Sequence, residues 1–432
     1  MKPSFFSDFG VKFVGMFSQR LYQNAGYLLV ANYLPGLVGF VFWALAGNLY
    51  GAHDIGLASV VISAATLLAM LANLGLSIGL IRFLPAASDR PRLLQTVFVV
   101  NLVTGILFAL GYLAGAPWWA AKLTAELGGV TFNLVFVTLV SVIAVGAIVR
   151  DAFVAYREAK YSFAYTLVSQ LARVVLIFPF VGRGSLGLVT STMLAFILAL
   201  AFSAGLHLRK VEPAYRLTSR VDVSMLGTLI PFSLGSHLTN LLLVLPQLVF
   251  PMLILELLGP VPSAHAYIPL MIGWMITGPA VALLNSAFAE SSNDHDGADR
   301  ILWRTGGVAI GVSLITAVAV YSLAAPLLSL FGPEYTQNSS GLLRLLALAS
   351  PFITFNQAYI NYLRIYKKVK LMTLLNLFLS AMIMGLAVVA IPRLGINGSG
   401  VSVLAAYIIM TAVSSVIIWR ERHNRRSLLT EN

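Results

Sequence analysis

The stretch SQLARVVLIFPFVG, residues 169–182, sets one arginine, Arg173, in the middle of an apolar run. A guanidinium stays charged at any physiological pH and grips phosphate oxygens bidentately, so an arginine in that position suits an anionic ligand. Thr166, Ser169 and Gln170 precede it at helical spacing and share its face. Other apolar runs carry comparable stripes. Ser233, Ser236, His237, Asn240 and Gln247 form one; Thr354, Gln357 and Asn361 lead to Arg364; Arg20, Asn24 and Asn32 open the first long run. Ser59, Ser63, Thr66, Asn73 and Ser77 line the next. Hydroxyls and amides in such stripes can bond the hydroxyls of a ligand, and equally they can knit helices together at about 0.6 kcal/mol per bond. A lone His such as His237 more often bonds a neighbouring helix than carries a proton. The candidate substrate-binding set is Arg173, Gln170, Ser169, His237, Asn240, Gln247, Gln357, Asn361, Asn32 and Arg20.

Several kinds of chemistry are missing. There is no cysteine, hence no disulfide framework and no thiolate metal site. No glycine-rich loop runs into Lys-Ser/Thr, so the chain is not expected to hydrolyse a nucleotide. SSNDHDG (291–297) gathers Asp294, His295 and Asp296, but a short solvated turn explains it better than a metal site. No catalytic constellation emerges, and the expectation is a protein that is not an enzyme, with no metal and no cofactor. Its coupling ion, if it uses one, is not readable.

The elements that must position these residues follow from composition. Of 432 residues, 59% are hydrophobic and 10% charged, with a mean hydropathy of +0.87. Soluble domains carry roughly 25% charged residues. The chain therefore divides into membrane spans of about 20 apolar residues each. Reading apolar stretches between charges and Gly/Pro breaks predicts twelve helices near 24–48, 55–80, 94–117, 130–150, 162–182, 185–207, 226–256, 265–289, 304–331, 342–363, 371–391 and 398–419. Alternate loops then separate by charge. On one side lie 23 of the 28 Lys and Arg, while the opposite loops hold Lys122, Arg183 and Arg393. By the positive-inside rule both termini are cytoplasmic, and the net charge of +12 sets topology rather than binding nucleic acid.

Five segments result: 1–23, an amphipathic interfacial helix with Phe5, Phe9, Phe13, Phe17 and Leu21 in register; 24–208, a first six-helix bundle; 209–225, a cytoplasmic linker; 226–419, a second bundle; and 420–432, a basic cytoplasmic tail. NLYGAHDIGLASVV (48–61) and ELLGPVPSAHAYIPLM (256–271) give a faint internal echo, with Gly51 and Gly259 after the first helix of each half. The triplets at 338–340 (NSS) and 397–399 (NGS) fall in predicted outer loops.

In this frame no Asp or Glu is central to a span: Glu256 lies near an outer end and Asp151 near an inner one. Arg173 sits about 11 residues from the inner end of its span, or roughly 16 Å at 1.5 Å per residue. A side chain of roughly 7 Å does not snorkel that far, and a charge at mid-bilayer costs about 2.5–3.5 kcal/mol. Two roles fit: contact with an anionic head group, or pairing with carbonyls where a helix is broken, near Pro179 or Pro231. Arg344, near an outer end, can reach the interface.

YLLVANYLPGLVGFVFWALAGNLYGAHDIGLASVV, NLGLSIGLIRFLP (73–85), RDAFVAYREAKYS (150–162) and LLSLFGPEY (327–335), with the N-terminal amphipathic segment, resemble the polysaccharide transport family of the multidrug/oligosaccharidyl-lipid/polysaccharide exporter superfamily. The resemblance implies an all-α membrane protein, two six-helix bundles in a V around a central cavity. It further implies flipping of a polyprenyl-(pyro)phosphate-linked oligosaccharide across the plasma membrane for cell-surface polysaccharide synthesis. The implied partners are that lipid-linked oligosaccharide, membrane lipids and other polysaccharide-biosynthesis membrane proteins. Three rivals stand beside it, one of them a non-transporting scaffold in a biosynthetic complex. A multidrug/cation antiporter of the same superfamily generally uses a buried carboxylate, and a membrane polymerase or ligase usually needs a large outer loop; the chain offers neither.

Overall fold

The computed structural model describes residues 20–215, 221–291 and 298–430. The amphipathic segment up to residue 19, part of the linker (216–220) and the Asp294–His295–Asp296 cluster lie outside the described residues. Among the described residues there is no strand, and twelve helices are long. They are α1 (Arg20–Leu49), α2 (Ala52–Asn73), α3 (Arg90–Trp119), α4 (Val130–Ala155), α5 (Ala159–Leu176) and α6 (Gly184–Phe202), then α7 (Leu226–Leu258), α8 (Pro260–Ser291), α9 (Ala298–Ser322), α10 (Pro333–Ile365), α11 (Val369–Leu394) and α12 (Asn397–Thr430). This is the all-α, twelve-helix membrane architecture that the hydropathy implies. Most of these helices are apolar on every side, as helices in hydrocarbon must be. Leu107 on α3 and Ile315 and Val318 on α9 stand exposed, while Phe136 and Val140 on α4 are fully buried.

Nine segments among the described residues are both long and apolar enough to cross a membrane. α1, whose apolar stretch among the described side chains is only Tyr33–Leu49, is not in that set, nor are α5 and α10, whose apolar character is diluted by the stripes that hold Arg173 and Gln357.

Several boundaries differ from the hydropathy reading, including the end of α9 (Ser322 rather than 331) and of α12 (Thr430 rather than 419), and four places show a local reason. α10 begins at Pro333, so Asn338 and Ser340, expected in an outer loop, lie in its first turns and bond back to Glu334 and Thr336. Gly332 and a proline at the first helical position start that helix well before the apolar run does. Asn397, also expected in a loop, opens α12. α5 stops at Leu176, and Phe178–Arg183 winds as a 3-10 helix with proline near its start. α2 is broken too: Leu74 and Gly75 both have positive φ (51° and 81°), and the helix resumes over Leu76–Phe83. A Cβ on Gly75 would stand 2.8 Å from Cβ of Ser233, so both the backbone and the space demand glycine.

The backbone repeats itself. Gly129 (φ 136°) precedes α4 as Gly332 (φ 123°) precedes α10. Arg157 (φ 58°) and Lys367 (φ 55°) are left-handed non-glycine residues after the same two helices. Both turns close alike, with Glu158 N–H donating to Phe153 O and Lys368 N–H to Leu363 O, each at 2.9 Å. Gly184 (φ 55°) opens α6, and Gly395 (φ 60°) stands just before α12. Matching irregularities at three corners mark an internal repeat.

The chain packs as two compact units. Among the described residues, one comprises those up to Phe42, Ala65–Trp118 and those from Glu126 to His237; the other comprises Trp43–Ala64, Trp119–Ala125 and those from Leu238 on. The first unit's core gathers Leu80, Leu94, Phe98, Ile148 and Phe153. The second packs Phe250, Leu270, Leu346, Leu379 and Tyr407.

Candidate functional site

In the first unit, α5 and α6 position Arg173. Its Nε–H donates to Thr192 Oγ1 at 3.2 Å, and its guanidinium carbon lies 3.8 Å from the centre of the Phe42 ring on α1. A desolvated cation–π contact is worth about 2 kcal/mol or more. The cation is thus oriented by a hydroxyl and a ring within its own unit, and it is half-buried rather than sealed. Ser169 and Gln170, one turn back, are buried, and Ser169 Oγ–H donates to Thr166 O at 2.8 Å. Ser169 is therefore turned onto its own helix.

His237 on α7 has Nε2 2.9 Å from the Met70 carbonyl of α2. A carbonyl only accepts, so Nε2 carries the proton and donates. The residue joins two helices, the ordinary use of an isolated histidine within a bundle. Arg20 and Asn32 fall on α1, with side chains outside the described residues.

In the second unit the polar groups are neutral. Asn240 is exposed near the start of its share of α7. Gln247 lines a narrow cleft among α7, α8, α10, α11 and α12, alongside Trp274, Thr277, Ser380 and Tyr407. Ser380 Oγ–H closes on the Leu242 carbonyl. A smaller pocket beside it is lined by Gln357, Asn356, Asn376 and Ser414. Asn356 Nδ2–H donates to Phe352 O and to Thr411 Oγ1, both at 2.8 Å. Asn361 is fully buried, and neither its amide oxygen nor its amide nitrogen has a hydrogen-bond partner; the same holds for Nδ2 of Asn376.

The structure thus groups Arg173, Gln170 and Ser169 in one unit and Gln247, Gln357 and Asn361 in the other. Sequence reasoning passed over Asn356, Asn376 and Trp274. Asn376 and Ser380 stand four apart in LMTLLNLFLSAMIMG, and the rule used for the other stripes would have found them. Trp274 carries no such signal, because aromatic residues are ordinary filling in a span.

Within the first unit the linker ends are tied to α3. Arg92 and Asp222 pair at 3.2 Å, the Asp222 amide donates to Thr96 Oγ1 at 3.0 Å, and Tyr215 Oη–H donates to Gln95 Oε1 at 2.9 Å. The Ser224 hydroxyl, followed by Arg92, holds the Asp222 carboxyl below the usual carboxylate range. Burial pushes the Tyr215 phenol up to about 12. Among the described residues no cluster of three or more His, Cys, Asp or Glu could hold a metal ion.

The profile of the family described as polysaccharide biosynthesis protein matches residues 21–288, and that of MatE matches residues 236–391. No curated protein matches significantly. Among solved structures, the chain is similar to an inward-facing multidrug resistance MATE family transporter of the MOP superfamily, at 16% identity and a TM-score of 0.69, covering 95% of this chain and 99% of that one. It is similar to the lipid II flippase MurJ in an inward closed conformation, at 11% identity and a TM-score of 0.73, covering 90% and 86%. An outward-facing MATE transporter aligns at 15% identity with a TM-score of 0.59, covering 93% and 96%. At these identities the likeness is one of fold.

Proposed function

The chain belongs to the polysaccharide biosynthesis protein family, and from that premise we propose that it moves a polyprenyl-(pyro)phosphate-linked oligosaccharide across the plasma membrane. The family match over residues 21–288 carries this reading. The fold shared with a flippase named for lipid II supports it. In this account Arg173 meets the phosphate. Thr192 and Phe42 fix the direction of the guanidinium, so little side-chain freedom is lost when an anion arrives. A charge-assisted bond in a low-dielectric setting is worth about 1.5–3 kcal/mol. The neutral amides and hydroxyls around Gln247 and Gln357 suit uncharged sugars, which need hydrogen bonds and no counter-charge.

Deletion of the gene should leave lipid-linked oligosaccharide on the inner leaflet while its synthesis continues. A strain that lacks the precursor altogether would favour the polymerase or ligase reading instead.

The MatE match over residues 236–391 and the MATE structures favour a second reading, export of a cationic drug. Against it stands the absence, among the described residues, of any acidic residue near mid-span. Glu256 lies near the end of α7, its carboxylate accepting the Lys122 amide at 3.2 Å, and Asp151, near the end of α4, bonds Ser77. Unchanged drug susceptibility on deletion is the expected result.

A further inference from the structure

His265, in the second turn of α8, sets its Nε2 3.8 Å from a carboxylate oxygen of Glu334 in the first turn of α10. Ion pairs elsewhere close further, Arg92 with Asp222 to 3.2 Å and Lys160 with Glu158 to 2.8 Å. Glu334 has room to close as well, its side chain being 48% exposed. His265 is only 7% exposed, and its Nε2 has no hydrogen-bond partner. His237, by contrast, brings the same atom to a carbonyl at 2.9 Å. A buried ring nitrogen that faces a carboxylate across an unclosed gap calls for something between them.

The surroundings hold the ring in place. Ser339 Oγ–H donates to the His265 carbonyl oxygen at 2.7 Å, tying α8 to α10. The Tyr335 ring, fully buried, stands perpendicular to the imidazole with centroids 5.2 Å apart. Asn338 Nδ2–H donates to the Glu334 carbonyl oxygen at 2.8 Å, which steadies the first turn of α10. The imidazole is fixed, and the carboxylate is free to adjust.

The separation discriminates among fillers. A direct charge-assisted bond would close to about 2.7–2.9 Å. One water bonded to both atoms at a tetrahedral angle would hold them roughly 4.6 Å apart. Two donors on a tetrahedral zinc ion stand roughly 3.3–3.6 Å apart, which a small turn of the Glu334 side chain reaches. An imidazole nitrogen with one carboxylate suits zinc, nickel or copper, whereas magnesium and calcium take oxygen alone. The positive start of α10 opposes a cation, and Glu334 answers it there with its own charge.

We infer that His265 and Glu334 bind a divalent transition-metal ion, zinc in the first instance, with water in its remaining positions. Two protein ligands make an open, exchangeable site rather than a closed structural one. The assignment departs from the metal-free expectation of the sequence. An ion held there pins the starts of α8 and α10 to each other inside the second unit, and this does not depend on the transport reading.

Calorimetric titration of the purified full-length chain, free of any histidine tag, with zinc chloride and with magnesium chloride tests this. His295→Ala is present throughout, so that the SSNDHDG turn does not compete. Zinc should bind at least tenfold more tightly than magnesium. His265→Ala and Glu334→Gln should each weaken zinc at least tenfold, and Glu334→His should keep it, an imidazole replacing the carboxylate. Glu334 is half exposed, so its variants keep the test open if His265→Ala fails to fold. X-ray absorption at the zinc edge reads the ligands of the unaltered site directly. It should show one imidazole with oxygen neighbours at about 2.0–2.2 Å. Zinc affinity unchanged in Glu334→Gln, equal binding of magnesium, or two or more imidazoles around the zinc would overturn the assignment.

Discussion

The two units hold their candidate polar groups differently, although each buries some unpartnered atoms, Asn101 Oδ1 and Arg150 Nε in the first among them. In the first, a full charge and a histidine are each tied to a named partner: Arg173 to Thr192 and Phe42, His237 to Met70. In the second, neutral amides are buried with less support, Asn361 lacking a partner on both atoms and Asn376 on its nitrogen. The difference follows from cost. An unsupported charge at mid-bilayer is far more expensive than an unsupported amide, so the charge is the group that must be held. It also teaches where a ligand gains most: an oriented cation offers strong, directional binding, and a set of neutral amides offers many weak contacts.

The sharpest break of that contrast is at Arg173. Arg173→Ala should lower transport per folded molecule by roughly 10- to 150-fold, the equivalent of about 1.5–3 kcal/mol. Arg173→Lys should retain part of it as a point charge, and Arg173→Glu should abolish it. If Arg173→Ala instead lowers folded yield at unchanged specific transport, the residue is only a strut between α5, α6 and α1.

Next in size is Asn361. Replacing a buried amide that has no partner by Leu removes a desolvation penalty, so Asn361→Leu should raise unfolding stability by about 1–3 kcal/mol. A loss of stability in a detergent unfolding series would show that the amide is satisfied, and the contrast between the units would weaken.

Smaller still, His237→Phe should cost about 0.6 kcal/mol, the average for one interhelical hydrogen bond in a bundle. A loss of transport well beyond that stability change would make His237 a proton carrier.

The smallest effect concerns the linker ends. Asp222 has a depressed carboxyl, so its contribution is present above the unfolded value of about 3.9 and fades as pH falls through its folded value. Proteolysis near residues 216–220 should therefore be flat from neutral pH down to about 4 and rise only below. A rise between pH 5 and 8 would point to another group.

Apolar runs carried the helix count, because a hydrocarbon solvent leaves few alternatives. The ends of α10 and α5 were less legible. Apolarity marks where a helix meets lipid, whereas Gly332-Pro333 and Pro179 mark where it starts and stops. The left-handed turns at Arg157 and Lys367 are invisible in sequence, since neither residue advertises positive φ. Arg173 stood out as a lone charge, but its partners did not. Phe42 lies more than a hundred residues away and looks like any other span aromatic.

The central claim is that the protein flips a lipid-linked oligosaccharide with Arg173 on its phosphate. The direct measurement is reconstitution of the purified chain in liposomes carrying a fluorescent polyprenyl-pyrophosphate oligosaccharide, with accessibility to an added reducing quencher followed over time. The account predicts translocation by the wild type, at least tenfold slower translocation by Arg173→Ala at equal folded protein, and no uptake of a cationic dye. Dye transport without lipid translocation would contradict it.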